Sequence, residues 1–424
     1  MKIKITDEYR KVKDLLHAEE PIIFVTGKAG TGKSTLIQYL RKTTKANCVV
    51  LAPTGVAAMN VQGATIHSFF RFPPRLLTDN DAKEVRFKTP YKNVDLLILD
   101  EVSMIRADVL DAIDLFLRFN GRHKSLPFGG VQVVLVGDLH QLPPVVSSRE
   151  ESEYFRTVYD SPFFFSSRVL SGVDLAAVEL THVFRQKDDR FLEILNTIRV
   201  GEPAAELLDE INTRVTPEVD PERETVLSTT NLIADRINKS RLASLPSLAQ
   251  MYTGNAEGRF QLTNDRLPSP MELLLKVDAR VMFTKNDPAG RWVNGSLGTV
   301  RTMNKKRVQV QMDETGEIMD VEKTSWETYQ YEYDEDEKRH VPLVTGSFQQ
   351  LPLAPAWAIT IHKSQGKTLS AARIDLGRSA FAPGQVYVGL SRCRTLGDLS
   401  LSRPISAKDI FCDHRAKAFY ESLF

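Results

Sequence analysis

The chain has 424 residues, 55 basic and 54 acidic side chains, a net charge of +1 and three cysteines, Cys48, Cys393 and Cys412. At about 150 residues per domain this length predicts roughly three structural units. The balanced charge excludes a globally basic coat, so any polyanion contact is local. Three scattered cysteines exclude a disulfide framework or a cysteine zinc site, and the lack of an 18-residue apolar run or signal-like start predicts an intracellular chain with no membrane partner.

The first 170 residues alternate short apolar runs with helical patterns: Ile22–Val25, Cys48–Leu51, Leu96–Leu99 and Val131–Val136. Continuous apolar strands belong to a parallel sheet covered on both faces by helices. After Val178-Glu179-Leu180, the runs Thr225–Ser228, Ala372–Leu376 and Leu399–Leu401 predict a second such sheet. The expected architecture is α/β, with one parallel-sheet domain over 1–174 and a second over 175–260 and 348–424. Residues 261–347 differ: Arg307–Met312 alternates, and Asn294-Gly295 and Thr315-Gly316 are turn signals, which predicts a small β-barrel inserted in the second domain. Within it, 313–337 carry eleven acids against Lys323 alone. Such a segment repels a phosphate backbone; it reads equally as a solvated guard of an edge strand.

Gly27-Lys28-Ala29-Gly30-Thr31-Gly32-Lys33-Ser34 matches G-x-x-x-x-G-K-S, with a strand before it and a helical run from Thr35 after it. Its glycines let backbone N–H groups face a phosphate with no Cβ in the way, and the helix N-terminus adds its dipole. Gly27, Ala29, Gly30, Thr31, Gly32, Lys33, Ser34 and Thr35 are therefore the predicted ATP cradle, with Lys33 on the β- and γ-phosphates and Ser34 on Mg²⁺. The apolar run Leu96–Leu99 ends in Asp100-Glu101. Asp100 is assigned to the Mg²⁺ shell and Glu101 to orienting and deprotonating the attacking water. A third run leads into Gly137-Asp138-Leu139-His140-Gln141, where Gln141 is a candidate γ-phosphate sensor and His140 a structural residue.

These segments occur in order with Ala52–Ala58, Thr65–Phe69, Phe184-Arg185-Gln186, Trp357–Thr368 and Gln385–Arg394. The set resembles superfamily-one helicases that move 5′ to 3′ on DNA. Ser103–Gly130, ending in Pro127-Phe128-Gly129-Gly130, is similar to the Pif (petite integration frequency) family rather than to RecD. The resemblance covers nearly the whole chain. It implies two RecA-like motor domains, ATP in the cleft between them and single-stranded DNA across their tops. It also implies that Arg185 and Arg392 reach the γ-phosphate from the second domain and that Gly366 and Lys367 line the cleft. The matching DNA positions are Pro53, Thr54, His67, Ser68 and Phe69 in the first domain and Asn231, His362, Lys363 and Ser364 in the second.

Between Phe70 and Lys92, six basic residues interleave with Phe70, Phe72, Phe87 and Tyr91. The family places its duplex-splitting wedge there, with Phe72 as a DNA contact. The alternative is a connecting loop whose aromatics pack inward, and Phe163-Phe164-Phe165 reads as buried. One departure concerns the base: the family's glutamine upstream of the phosphate loop has no counterpart in Ile5–Arg10, which leaves Glu8, Tyr9 or a broader choice of nucleotide. The expected protein is an ATP- and Mg²⁺-dependent 5′ to 3′ helicase, acting as a monomer on single-stranded DNA and single/double-strand junctions in a bacterial cytoplasm. The family is also associated with G-quadruplexes and RNA–DNA hybrids. A RecD-type subunit, or a nucleotide-gated binding module that does not unwind, are the alternatives.

Overall fold

The computed structural model describes residues 5–146, 148–186, 188–217, 220, 224–260, 267–334 and 339–424. The first sheet contains β1 (Ile22–Gly27), β2 (Cys48–Ala52), β3 (Ala64–Thr65), β4 (Leu96–Leu99), β5 (Gln132–Gly137) and β6 (Ala176–Leu180). Its order is β3-β2-β4-β5-β1-β6, parallel throughout. The side-chain period of two divides each strand between two cores. Ile22 and Phe24 enter one with the helix Ala107–Asn120, while Ile23 and Val25 enter the other with the helices Asp7–His17 and Lys33–Thr43.

Two boundaries differ from expectation. Val178 and Leu180 lie on β6, which pairs with β1, so the first domain extends past residue 174 to include this edge strand. An apolar run predicts a strand but carries no label for its sheet. The C-terminal helix His414–Glu421 also returns to the first domain: Ala416 joins its core and Phe419 stacks on Phe165 at 4.5 Å.

β7 (Thr225–Ser228) starts the second parallel sheet, and the chain then leaves it for the insert. The insert holds β8 (Gln250–Thr253), β9 (Asn255–Gly258), β10 (Glu272–Leu275), β11 (Arg280–Phe283) and β12 (Leu297–Met303). It continues through β13 (Val308–Met312), β14 (Ile318–Val321), β15 (Thr324–Asp334), β16 (Arg339–Gln350) and β17 (Leu353–Pro355). All pair antiparallel, in the orders β14-β13-β12-β11-β17, β15-β16-β9 and β10-β8. The predicted alternation holds: Val308 and Val310 are buried while Gln309 and Gln311 are half-exposed. The insert is wider than 261–347, since β8, β9 and β17 belong to it. Tyr252, Leu273, Val281, Val300 and Val310 share one core across two of its sheets, and the pairing among the described residues shows separate sheets rather than a closed ladder. The chain then completes the second parallel sheet with β18 (Ala358–Thr360), β19 (Ala372–Asp375) and β20 (Leu399–Leu401), in the order β18-β7-β19-β20.

The acidic segment runs through β14 and β15. Asp313 pairs with the buried Arg280 at 2.8 Å and Asp320 accepts from Gln309 at 3.1 Å, while Glu335, Asp336 and Glu337 lie outside the described residues. β15 packs against β3 and against the first-domain helices Gly55–Asn60, Ile66–Phe70 and Thr89–Lys92. Among the described residues, no helix is long and apolar enough to cross a membrane.

The predicted wedge is mostly core. Phe70, Phe72 and Tyr91 are buried, with Phe72 stacked on Phe70 at 5.4 Å and edge-on to Phe116 at 5.9 Å. A DNA contact by the Phe72 ring is therefore corrected to a packing role. Phe87 points the other way, 76% exposed, with the Arg86 guanidinium 5.6 Å from its ring. Phe163 and Phe164 are buried, in line with the reading of that run. Phe72→Ala is expected to cost about 3–5 kcal/mol and Phe87→Ala less than about 0.5 kcal/mol, measured by urea unfolding. Equal losses would contradict this division.

Candidate active site and nucleic-acid track

β1 delivers the chain at Gly27 into a tight loop. Thr31 closes it by donating its N–H and hydroxyl to the Lys28 carbonyl at 3.3 and 2.9 Å. Gly30 and Gly32 have φ of 83° and 88°, and a Cβ on either would lie 2.5 Å from the Arg185 side chain or the Tyr9 hydroxyl. Glycine is required at both positions by backbone and by space together. Gly32 begins the helix Lys33–Thr43 without a side-chain cap, the arrangement that favours an anion at a helix start. Lys33 Nζ donates to the carbonyls of Gly27 and Lys28 at 2.7 and 3.1 Å. Burial lowers its pKa, opposed by the carboxylates of Asp138, Glu101 and Asp100. Ser34 is exposed on the first turn and Thr35 half-buried beside it.

At the end of β4, Asp100 is buried and Glu101 adopts φ 51° and ψ 44°. A non-glycine residue in this left-handed region stores roughly 1 kcal/mol or more of strain, a feature that clusters at functional sites. Burial and then the Glu101 charge push the Asp100 carboxyl up to about 7. Burial likewise raises Glu101, against the pull of Lys33 and Arg392. The two carboxyls thus sit where a cation would relieve their mutual repulsion.

Gln365, on the loop after β18, joins this cluster from the second domain. Its Nε2 donates to Glu101 Oε2 and to Gln141 Oε1, each at 3.2 Å, and Gln141 Nε2 in turn donates to Asp138 at 3.2 Å. Gln141 and Glu101 thus share Gln365 as a partner. His140 is buried against Tyr420 and within 3.3 Å of Cys412 Sγ. Arg185 lies against Gly30 and donates to the Ser391 carbonyl at 3.4 Å. The fully buried Arg392 donates to the carbonyls of Val388, Ser364 and Lys367 and to the Ser391 hydroxyl, at 2.7, 3.1, 3.3 and 2.7 Å. Burial and then Arg185 lower its pKa to about 9. Gly366 (φ 77°) is exposed on the same loop as Gln365, and burial lowers the neighbouring Lys367 to about 8.

This geometry has close counterparts among known proteins. A family model for PIF1-like helicases matches residues 4–206. The ATP-dependent DNA helicase Pif1 of Bdellovibrio bacteriovorus is 31% identical, over 99% of this chain and 92% of that protein. The chain belongs to the PIF1-like helicases. It is an ATP-dependent DNA helicase with two RecA-like motor domains. The crystal structure of a Bacteroides Pif1 in complex with ADP-AlF4 superposes with a TM-score of 0.91 at 36% identity, covering 99% of this chain and 97% of that one. The structure of Bacteroides Pif1 bound to single-stranded DNA superposes at 0.72, with the same identity and coverage.

On the expected DNA face of this helicase, Thr54 caps the helix Gly55–Asn60 through the Ala57 N–H at 3.2 Å, beside a half-buried Pro53. His67 is half-buried and Ser68 exposed on the neighbouring helix Ile66–Phe70. In the second domain Asn231 and Lys363 are exposed and His362 is half-buried. Two expected DNA contacts change. The Phe69 ring is buried edge-on against Phe70 and Tyr91, and the fully buried Ser364 hydroxyl donates to the Ile361 carbonyl at 2.7 Å. Both side chains are internal supports, Phe69 of its helix and Ser364 of its loop.

Sequence reading missed Gln365, Gln186, Asp138, Arg199 and Tyr387. Gln186 Nε2 donates to the carbonyls of Ser391 and Cys393 at 3.1 and 3.4 Å, tying Arg185's segment to Arg392's. For Asp138, Arg199 and Tyr387 the available signal was a polar residue in or beside an apolar run, whereas Gln365 and Gln186 lie in polar segments. Lys33→Ala is expected to abolish ATP turnover while leaving the far-ultraviolet circular dichroism spectrum intact; wild-type turnover would remove Lys33 from the site. Glu101→Gln should bind ATP but hydrolyse it about 100-fold more slowly, scored by single-turnover kinetics.

Proposed function

We propose that this helicase moves 5′ to 3′ along single-stranded DNA as a monomer and separates duplex at single/double-strand junctions. The direction rests on the family resemblance; the observation that supports a DNA-coupled motor is the bond from Gln365 to Glu101, because the loop holding Gln365 also holds His362 and Lys363. A change at the γ-phosphate therefore has a short path to a DNA grip.

In this reading Lys33 and the loop amides hold the phosphates. Ser34 and Asp100 would hold Mg²⁺, which would neutralise phosphate charge there. Glu101 orients water, Gln141 reports the γ-phosphate, and Arg185 and Arg392 bring positive charge from the second domain. Arg392 does so by exchanging carbonyl partners for phosphate oxygens, a trade suited to a guanidinium's fork of donors. Thr54, His67, Ser68, Asn231, His362 and Lys363 follow the DNA backbone and bases. Phe87 is the aromatic available to a duplex end.

The base is proposed to occupy a cavity of about 440 Å³ lined by Ile5, Thr6, Asp7, Glu8, Thr181 and His182. Tyr9 is unsuited to reading a base edge, since its ring is buried and its hydroxyl donates to the Gly32 carbonyl at 2.7 Å. Glu8 accepts from the Thr181 hydroxyl at 2.8 Å, and its hydrogen bonds outweigh burial to hold it at about 2. An ionised carboxylate only accepts, so it favours a base edge carrying an amino group. The bacterial relatives are the support for a cytoplasmic setting.

The test of polarity uses duplexes with a single 5′ or 3′ tail. Unwinding is expected from the 5′ tail, and unwinding of the 3′-tailed duplex alone would overturn the direction. On the productive substrate, Phe87→Ala should slow strand separation several-fold while DNA-stimulated ATPase stays near wild type.

A further inference from the structure

The helix Gln385–Leu390, which leads into Ser391 and Arg392, is buried along its whole length, and Tyr387 points from it into the first domain. The Tyr387 hydroxyl accepts the N–H of Ala29, inside the phosphate-binding loop, at 2.9 Å, and donates to Asp138 at 3.3 Å. Asp138 is held on its other oxygen by Arg199 at 3.2 Å. The contact is broader than one hydroxyl. Ala29 packs into the second domain's core together with Tyr387 and Leu142. Gly384, at the start of the helix, lies so close to the first domain that a Cβ would stand 2.3 Å from the His140 carbonyl.

We propose that Tyr387 is a positioning residue for hydrolysis, its hydroxyl setting the distance between the phosphate-binding loop and the segment that carries Arg392. The hydroxyl satisfies an amide of the ATP cradle and a carboxylate at the end of β5 at once, so both loops are indexed to the helix bearing the arginine. Loss of the hydroxyl leaves the buried Ala29 N–H and Asp138 each short of a partner, and lets the helix settle at a different height over the loop. Tyr387 acts through Ala29 and Arg392 and touches no reacting atom.

Tyr387→Phe keeps the ring and removes only the oxygen. The single-strand-stimulated ATPase kcat should fall about ten-fold, with the nucleotide KM within about three-fold of wild type. Hydrogen exchange of the loop peptide containing Ala29 should quicken. Wild-type kcat overturns the proposal, as does a lowered unfolding temperature with turnover per folded molecule unchanged, which marks Tyr387 as structural only. If the variant fails to fold, the wild-type protein still decides: without nucleotide the Ala29 amide should be protected, and exchange at the rate of an open loop overturns the link.

Discussion

A carboxylate with no exposed surface, Asp138, pairs with an almost equally buried Arg199 from the other motor domain, and the cleft is organised around that pair. Burial alone would raise Asp138. Arg199 and then Lys33 outweigh it and hold the carboxyl at about 2. Its oxygens are shared among Arg199, Gln141, Tyr387 and the His140 N–H. Such a pair contributes little net stability against a well-packed apolar substitute, yet breaking it from one side costs about 3–5 kcal/mol. Its value lies in geometry: together with the other polar bonds across the cleft, it fixes one arrangement of the two domains.

From that anchor two hydrogen-bonded arms reach the chemistry. One passes through Gln141 and Gln365 to Glu101, the other through Tyr387 to the Ala29 amide. Each arm contains a residue from each domain, so neither survives a change in the separation of the domains. Glu101 adds a second constraint, because its left-handed backbone is held by the packed end of β4, by the bond its N–H donates to Asp100 at 2.9 Å and by the Met104 N–H that its carbonyl accepts at 3.0 Å. Strain at the tip and bonds across the cleft together make the nucleotide site sensitive to domain position.

Much of this was legible in the sequence, for local reasons. Continuous apolar runs announce buried parallel strands, and G-x-x-x-x-G-K-S after such a run leaves few alternatives for the loop. The gaps were non-local. Nothing in Val178-Glu179-Leu180 states that it will pair with β1. The aromatics Phe69 and Phe72 look the same on paper whether they face DNA or the core, and for Phe72 the matter is decided by Phe70 and by Phe116, supplied by another helix. Tyr387 meets Ala29 across 358 residues and Gln365 meets Glu101 across 264, separations at which periodicity carries no information.

The same geometry bears on how hydrolysis meets DNA. β15, from the acidic segment, lies against the helices that carry Thr54 and His67, so the insert and the first domain's expected DNA face share a boundary. In the proposed reading, DNA and the insert therefore share the same helices. The loop holding His362 and Lys363 is tied instead to Glu101 through Gln365, so the two surfaces expected to face DNA have different neighbours: one the insert, the other the nucleotide cleft.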